Sequence, residues 1–515
     1  MALIASAFSV TALVHYFHSG ELLLYGDAVA HINIARRVAD SLTPGALQLG
    51  TVWLPLPHLL TLPFVVSDWA WRTGVGGAIP SMVSYVVATV GVFRLTRMFT
   101  SRTSAWIAVL VFALNPNLLY MQTTGMTEAL FLSTVIWSVF FFCRFVAEMR
   151  GGNTEGAGKA LVACSMALSA AMFTRYDGWF LTVVTGLCAL AVFMRSDADV
   201  KRRLRRQFVT FLMVAALSPV LWLAYNYEVY GNAVEFLSGP YSARAIQEKT
   251  THVMGSRHPG DRDLKTAWFF YLKAAKLNAG EGRWQPWLFG VAVFAGLISM
   301  LQARRRPLLL LWLPLLFYTL SIAYGSVPIF VPEWWPHAYV NVRYGMQLLP
   351  AVGVFFALGV EMIRQVNYSD RTNRVAVIFA AAVVMLSQAS IWMAVPICLR
   401  EARANSVSRV AVESAIAAEL RKLPTTSRLM MFTGTHGGAL QRAGIPFKRV
   451  LNEGNSQQWE RALRAPATGA DYIIAGDNDM VAEAVARNGE QLEPIFSAKL
   501  EGETVKIFRS KIYSH

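Results

Sequence analysis

Residues 127–147 read TEALFLSTVIWSVFFFCRFVA, an almost unbroken apolar run. Its length matches the roughly 20 residues that an α-helix needs to cross the hydrocarbon core of a bilayer. Its two charged side chains, Glu128 and Arg144, lie near opposite ends of the run. The run is therefore predicted to form a membrane-spanning helix with a carboxylate in its first turn.

The rest of the chain repeats this pattern. Of its 515 residues, 55% are hydrophobic and only 15% are charged, and its mean hydropathy is +0.40. This composition excludes an ordinary soluble globular protein. Further apolar windows fall near 2–17, 76–98, 104–121, 158–174, 178–195, 208–226, 286–302, 307–324, 344–363 and 375–396. We predict a polytopic α-helical membrane protein with about eleven transmembrane helices.

The basic residues of the short loops indicate the orientation of the chain, because they all fall in alternate loops. They are Arg94, Arg97 and Arg102; Arg144 and Arg150; Arg195, Lys201, Arg202, Arg203, Arg205 and Arg206; Arg304 to Arg306; and Arg364, Arg371 and Arg374. Under the positive-inside rule these loops are cytoplasmic. The formal net charge of +15 then follows largely from membrane topology and requires no nucleic-acid partner. The expected location is the cell (inner) membrane.

The opposite, exported side carries the large segments. Residues 1–397 are predicted to form the transmembrane domain, with a first exported loop at about 19–75 and a large exported loop at about 227–284. Residues 398–515 are markedly more polar and are predicted to form a small exported soluble α/β domain. Its expected helices are 409–423 and 480–487, and its expected strands are 428–432 and 472–475. The glycine-rich segment 434–438 is expected to be a turn.

The first exported loop holds the most informative polar residues. Asp27 and His31 are one turn apart at the start of an expected amphipathic helix. Asp27 is a candidate catalytic carboxylate, although it is also suited to cap that helix. His31 is placed to orient Asp27, to share a metal with it or to contact substrate, and an interfacial histidine without such a role is an equally good interpretation.

Three further motifs with charged side chains lie at span ends on the same predicted side of the membrane. Glu128 opens the fourth span, where the helix dipole alone would favour a carboxylate. Arg175, Tyr176 and Asp177 form a tight turn between two spans, where Arg175 and Asp177 are also able simply to pair with each other. Arg343 and Tyr344 precede the tenth span. A membrane protein that gathers these groups at one interface is expected to carry out chemistry there.

Aromatic and amide side chains at the exit of the seventh span form a second candidate set: Tyr225, Asn226 and Tyr241. Such groups suit stacking on a sugar and recognition of its hydroxyls, although an interfacial tyrosine belt is the commoner explanation. Residues 265–277 read as an interfacial amphipathic helix suited to covering a lipid access route.

The order and common side of these motifs resemble the GT-C glycosyltransferase superfamily. The resembling features are Asp27 in the first exported loop, an acid opening a later span, Arg-Tyr-Asp-Gly-Trp at 175–179, and Arg343-Tyr344 ahead of Leu349-Pro350. Within the superfamily, residues 1–363 are similar to bacterial relatives of the protein O-mannosyltransferases and the lipid A aminoarabinose transferases. The resemblance implies a polyprenyl-phosphate-linked sugar donor and transfer on the exported face, usually with inversion.

The resemblance also implies roles for the residues. Asp27 matches the catalytic carboxylate, which would act as general base, and Glu128 matches the second acidic position; Asp177 completes the candidate catalytic set. Arg343 and Tyr344 would contact the donor phosphate, and Arg175 and Tyr176 are further candidate substrate-binding residues. Some relatives bind a divalent cation and others work without one; Asp27 and Glu128 would be the ligands if one is bound.

The acceptor is left open among a glycan, a lipid and a protein. Protein O-mannosyltransferases carry an acidic pair where this chain has Asp27 followed by Ala28, which weakens the expectation of a protein acceptor. The main alternative function is a multipass transporter of a lipid-linked or small-molecule substrate. Transporters place polar groups near the bilayer midplane, whereas the acids here cluster at one face.

Overall fold

Twelve α-helices make up the apolar bundle in the part of the chain that the structure describes. The computed structural model describes residues 1–50, 52–239, 241–254, 257–282, 284–365, 369–477 and 479–513. The bundle helices are Ala2–His18, Val75–Arg97, Arg102–Ala113, Pro116–Met121, Glu128–Arg150, Thr154–Met172, Asp177–Met194, Ala198–Tyr230, Pro286–Ser299, Leu313–Tyr324, Leu349–Gln365 and Asp370–Met393. Two of them follow 3₁₀ segments, Ala303–Trp312 and Val342–Leu348.

The predicted membrane architecture is confirmed, although the count of eleven spans is not. Among the described residues, seven helical segments are long and apolar enough to cross a bilayer: Val75–Arg97, Glu128–Arg150, Asp177–Met194, Ala198–Tyr230, Ala303–Tyr324, Val342–Gln365 and Arg371–Leu420. Other predicted spans correspond to shorter apolar helices, such as Ala2–His18 and Pro286–Ser299.

The predicted span at 104–121 is divided in the structure. The helix Arg102–Ala113 ends, and a short helix begins at Pro116. The side chain of Asn115 caps the second helix by accepting hydrogen bonds from the backbone N–H groups of Asn117 and Leu118 at 3.0 and 3.2 Å. Proline disrupts a helix interior but suits a first helical position, so Asn-Pro starts a new helix where hydropathy alone predicts continuity.

Helices also fill the loops on the side of the bundle where the charged motifs lie. The first loop contains Gly26–Ala39, Leu56–Val65 and Asp68–Thr73, with a 3₁₀ turn at Ala46–Leu49. We call Gly26–Ala39 the first-loop helix. The large loop contains Glu235–Ser238, Ala243–Met254 and Leu264–Ala279. The last of these, predicted as interfacial, buries Phe270, Tyr271 and Ala274.

The C-terminal region is a small α/β domain, as predicted. It begins with Ile397–Leu420, which we call the linking helix, and its other α-helices are Thr433–Ala443, Ser456–Arg464, Pro466–Gly469 and Met480–Asn488; Phe447–Arg449 and Glu453–Asn455 are 3₁₀ turns. Its strands are β1 (Leu429–Met431), β2 (Val450–Leu451), β3 (Tyr472–Gly476), β4 (Leu492–Leu500) and β5 (Glu503–Ser510). The sheet order is β2-β1-β3-β5-β4, parallel within β2-β1-β3 and antiparallel elsewhere.

The C-terminal domain shares a hydrophobic cluster with the first loop. Ile32 and Ala35 of the first-loop helix pack with Val412 and Ile416 of the linking helix and with Leu429 of β1. This packing fixes the first-loop helix between the bundle and the sheet. The candidate catalytic residue Asp27 lies in the first turn of that helix.

Candidate active site

Six charged side chains from separate parts of the sequence meet at one end of the bundle. Asp27, Glu128 and Asp177 each lie in the first turn of a helix, where the helix dipole stabilises a carboxylate. Arg175 lies in the turn before Asp177, and Arg343 lies in the 3₁₀ segment Val342–Leu348. The sixth is Glu401 in the linking helix. We call these six residues the charged cluster.

Arg343 is surrounded by carboxylates. Its Nη2 donates to Asp27 Oδ2 at 2.6 Å, and its Nη1 donates to Glu401 Oε1 at 3.1 Å. Its Nε lies 3.3 Å from Glu128 Oε1. The Arg343 side chain is only 8% exposed, whereas that of Asp27 is 42% exposed. Asp27 is therefore the member of this group that an incoming molecule reaches.

Arg175 forms the second half of the charged cluster. Its Nε donates to Asp177 Oδ1 at 3.2 Å, and its Nη1 lies 3.5 Å from Glu128 Oε1. Its Nη2 donates to the hydroxyl of Tyr318 at 2.9 Å, and that hydroxyl donates to Asp177 Oδ2 at 2.7 Å. Glu128 thus contacts both guanidinium groups and links the two halves.

Tyr344 lies between the two arginines. The Cζ atom of Arg175 is 4.7 Å from its ring centroid, and that of Arg343 is 5.0 Å away. Both distances fall within the range of cation–π contacts. The ring therefore helps to hold two like-charged groups in place close to each other.

The sequence analysis did not identify Glu401. This carboxylate is fully buried, accepts a hydrogen bond from the backbone N–H of Arg343 at 3.2 Å, and accepts another from the Tyr25 hydroxyl at 3.1 Å. Burial raises the pKa of the Tyr25 hydroxyl well above its usual value, so Tyr25 remains a donor. The only sequence signal is an acid five residues after the last predicted span, in the part of the chain predicted to be a soluble domain.

Asp27 does not cap its helix, which corrects one interpretation of the sequence. The N-cap residue is Tyr25, and no side chain makes a capping bond there. Asp27 lies inside the first turn, and its side chain pairs with Arg343. The carboxylate is therefore held toward the 3₁₀ segment and does not cap the helix.

His31 does not contact Asp27 directly in the structure. Its Nδ1 lies 2.8 Å from Nε2 of His58, and its ring centroid lies 4.7 Å from that of Trp53. Burial, followed by the positive charges of Arg175 and Arg343, lowers the pKa of His31 from 6.5 to about 3. Both imidazoles can satisfy this contact when one donates and the other accepts. His31 forms a neutral, buried wall beside the charged cluster.

Tyr176 and Tyr225, two candidate substrate-binding residues, lie in one aromatic cluster. Tyr176 stacks on Phe236 with centroids 5.0 Å apart, and its hydroxyl donates to the carbonyl of Val52 at 3.0 Å. Tyr225 stacks on Trp222 in the same small cluster. The structure brings these residues together with one another rather than with Asp27.

Two further predicted residues also lie apart from Asp27. The side chain of Asn226 is buried and donates to the carbonyl of Trp222, four residues earlier in its own helix. Tyr241 stacks on Phe432 of the C-terminal domain with centroids 6.4 Å apart.

The two carboxylates suggested as metal ligands do not form a cation-binding pair in this arrangement. Arg343 lies between them, with Nη2 facing Asp27 and Nε facing Glu128. Across the described residues, no group of three or more His, Cys, Asp or Glu side chains has a geometry that would hold a metal ion. The arginines supply the positive charge of this site.

The chain is similar to known membrane proteins in part of its sequence and in its fold. Residues 70–225 match the family described as dolichyl-phosphate-mannose-protein mannosyltransferase. The fold resembles that of ArnT from Cupriavidus metallidurans bound to undecaprenyl phosphate, with a TM-score of 0.58, 15% sequence identity and 97% of each chain covered.

A more distant likeness, with a TM-score of 0.48 and 12% identity, covers 92% of this chain and 69% of the Archaeoglobus fulgidus oligosaccharyltransferase in the apo form. No curated protein matches the chain in sequence. The ArnT-like fold across nearly the whole chain, together with the matched family, confirms the resemblance to the GT-C glycosyltransferases that the sequence motifs indicated.

Proposed function

We propose that the protein transfers a sugar from a polyprenyl-phosphate donor to an acceptor hydroxyl on the exported face of the membrane. The observation that carries this proposal is the 2.6 Å ion pair between the accessible Asp27 and the buried Arg343, set among further acids at one end of a GT-C-like bundle. The similar ArnT structure contains undecaprenyl phosphate, and the matched family is named for a dolichyl-phosphate sugar donor. Both names indicate a polyprenyl-type lipid phosphate as the carrier of the sugar.

In the proposed reaction, Asp27 is the general base. One of its oxygens accepts from Arg343, which fixes the carboxylate plane and leaves the other oxygen for an acceptor hydroxyl. Asp27 takes the proton of that hydroxyl while the acceptor oxygen attacks the anomeric carbon of the sugar. The bond from that carbon to the phosphate oxygen breaks, and the lipid phosphate leaves from the opposite face. This direct displacement inverts the anomeric configuration.

The other charged residues of the cluster stabilise the two charges that develop in the transition state, a negative charge on the phosphate and a positive charge on the sugar. Arg343 and Arg175 are the cations available to the departing phosphate, whose oxygens match the guanidinium fork. Tyr344, between them, adds a hydroxyl donor. The carboxylates outnumber the arginines in the charged cluster, and this negative excess favours the positive charge that builds on the sugar ring. Glu128 and Asp177 also fix the arginine positions.

The fold and the position of the charges do not favour the transporter alternative. The carboxylates of the charged cluster lie in first turns of helices or beyond the apolar bundle, rather than along the middle of a spanning helix. A transport pathway would place such groups at mid-depth. The whole-chain similarity is to a structure of ArnT.

The experiment that tests the proposal is transfer by the purified chain from a panel of polyprenyl-phosphate sugars to glycan, lipid and peptide acceptors. Wild type is compared with Asp27→Asn and with Glu228→Gln, an exposed acid near the end of the helix Ala198–Tyr230. Losing the general base is expected to reduce turnover by about 10²–10⁴-fold. Glu228→Gln is expected to retain wild-type turnover.

The same assay is run with and without a chelator. Unchanged turnover with chelator is expected from the arginine-based site. Wild-type turnover by Asp27→Asn would remove Asp27 from the mechanism. Absence of both transfer and donor hydrolysis across the panel, with folded protein, would contradict the glycosyltransferase proposal.

A further inference from the structure

A cavity of about 690 Å³ lies between the first loop and the C-terminal domain. The helix Asp68–Thr73 contributes Trp69 and Arg72 to its wall, and the linking helix contributes Ser414. Arg421 and Arg442 complete the wall from the C-terminal domain. No member of the charged cluster lines this cavity, so it is a separate site.

Three arginines line this space, and each lies close to a neighbouring group. Arg421 Nη2 donates to the backbone carbonyl of Arg442 at 2.7 Å, and Arg442 Nε donates to Glu413 Oε2 at 3.2 Å. The guanidinium of Arg72 lies 3.3 Å from the position that a Cβ atom at Gly444 would occupy.

Most of this positive charge is not compensated within the protein. Asp68, the acid in the wall, pairs at 2.6 Å with Arg36 outside the cavity. Neither Arg72 nor Arg421 forms an ion pair with a carboxylate among the described residues. Like charges held together repel one another, and a bound anion would remove that repulsion.

The rim of the cavity lies where an apolar helix ends. Trp69 is 60% exposed, and its ring centroid is 6.2 Å from that of Phe17 near the end of the helix Ala2–His18. The preceding helix Leu56–Val65 exposes Leu59 and Phe64. Exposed tryptophan and aliphatic side chains beside a polar pocket are typical of the boundary between lipid and water.

We propose that this cavity binds the phosphate group of a membrane-lipid headgroup. The arginine fork matches two phosphate oxygens, and three such groups suit a phosphate with more than one negative charge. The lipid tails would lie along the exposed apolar side chains of the rim. This site goes beyond the proposed transfer reaction and does not depend on it.

Equilibrium dialysis of the purified full chain in detergent tests the proposal. The probes are dihexanoyl phosphatidic acid, dihexanoyl phosphatidylcholine and inorganic phosphate. Phosphatidic acid is expected to bind at least tenfold more tightly than either of the other two. The double variant Arg72→Gln/Arg421→Gln is expected to raise its dissociation constant at least tenfold.

A matched control removes two charges elsewhere in the same domain. Arg461→Gln/Arg464→Gln changes two exposed arginines that do not line the cavity, and it should bind phosphatidic acid as wild type does. A second variant, Ser414→Glu, keeps all three arginines but adds a carboxylate to the wall, and it should also weaken binding.

Three results would overturn the proposal in different ways. Equal affinity for phosphatidic acid and phosphatidylcholine would remove the anion site. Inorganic phosphate that binds as tightly as phosphatidic acid, with the same loss in the variants, would assign the site to free phosphate. Equal affinity in wild type, the double variant and Ser414→Glu would place the binding elsewhere. No donor sugar is present, so these results are independent of the transferase assay.

Discussion

Arg343 is stabilised by carboxylates that lie far apart in the sequence. Asp27, Glu128 and Glu401 approach it from the first-loop helix, a bundle helix and the linking helix. A buried guanidinium is costly unless it is paired and hydrogen-bonded, and removing one partner from a buried ion pair is strongly destabilising. Arg343 thus makes the positions of these three elements depend on one another.

The substitution Glu401→Ala tests this dependence. It is expected to lower the free energy of unfolding by about 3 kcal/mol or more, because it breaks a buried ion pair. It should also reduce sugar transfer, because Arg343 loses the group that orients it. Thermal or denaturant unfolding of the detergent-purified chain provides the first measurement.

The control for this substitution is Glu419→Ala in the same linking helix. Glu419 pairs with Lys422, whose side chain is 67% exposed, and such a surface pair contributes only about 0–1 kcal/mol. Equal losses of stability in the two variants would contradict the role assigned to Glu401.

His31 predicts a pH dependence of stability. The pKa of His31 is about 3 in the folded protein and 6.5 when unperturbed. As the pH falls below 6.5, His31 therefore gains a proton in the unfolded chain while it stays neutral in the folded chain. The contribution of His31 to stability is therefore present above pH 6.5 and is lost progressively between pH 6.5 and pH 3. The unfolding temperature measured across this window should fall with pH.

Substituting His31 should reduce this pH dependence. His31→Asn removes the titrating group, and its unfolding temperature should fall less steeply than that of wild type. The exposed His18 supplies the control, since His18→Asn should leave the slope unchanged. If the unfolding temperature of His31→Asn fell with pH as steeply as that of wild type, His31 would not be the source of the pH dependence.

Charge at the ends of apolar spans was enough to single out five members of the charged cluster from the sequence. The sixth, Glu401, and the tyrosine Tyr318 were not predicted. Glu401 lies 58 positions from Arg343, and Tyr318 lies 141 positions from Asp177, so their contacts exist only after folding. Tyr225 was predicted to bind substrate because aromatic residues suit sugars, but composition alone cannot say that it stacks on Trp222.

The 3₁₀ segment Val342–Leu348 owes its position to a close approach of two backbones. A Cβ atom at Gly345 would overlap the backbone of Ala274 and Ala275 in the helix Leu264–Ala279. Asn278 of that helix also donates to the carbonyl of Val342 at 2.7 Å. The large loop therefore fixes the segment that carries Arg343 and Tyr344.

Gly345→Ala is expected to shift this segment and to reduce both transfer and stability, since overpacking a tight contact costs about 1–3 kcal/mol. Gly359→Ala in the following helix is the control. Its Cβ would meet Val291 and Ala295 at ordinary distances of 3.4 and 3.6 Å, and alanine favours a helix by about 1 kcal/mol over glycine. Transfer and unfolding temperature are measured for both; a harmless Gly345→Ala would contradict the close approach.

Sequence patterns predicted most helices and the strands β1 and β3, but not the helical stretches of one glycine-rich segment. The turn expected at 434–438 is present only as a kink at His436, between two helical stretches of the segment Thr433–Ala443. Glycines usually indicate a turn. Here a Cβ at Gly438 would overlap the carboxylate of Glu413, so glycine permits close packing on the linking helix. A packing requirement between elements cannot be read from the local sequence.

The orientation of the protein in the membrane can be tested on a single helix. Ala198–Tyr230 has 33 residues and is about 50 Å long, more than the roughly 30 Å of a bilayer core. It has a basic cluster at its start, which the positive-inside rule places in the cytoplasm.

In intact cells, a membrane-impermeant maleimide should label a cysteine introduced by Glu228→Cys. A cysteine introduced by Arg203→Cys should react only after the cells are permeabilised. The unmodified chain is the control, because Cys143, Cys164 and Cys398 are buried and the partly exposed Cys188 lies within the apolar helix Asp177–Met194. The reverse labelling pattern would place the charged cluster on the cytoplasmic face and contradict that part of the proposed function.

The linking helix belongs to two structures at once. Near its start, Glu401 contacts Arg343, and farther along, Val412, Ile416 and Leu420 join the hydrophobic cluster shared by the first loop and the sheet. A chimera that exchanged the C-terminal domain at the predicted boundary of 397/398 would therefore lose a buried partner of Arg343 and expose the apolar face of the first-loop helix. Natural recombination faces the same constraint, so the membrane bundle and its C-terminal domain are expected to be inherited together.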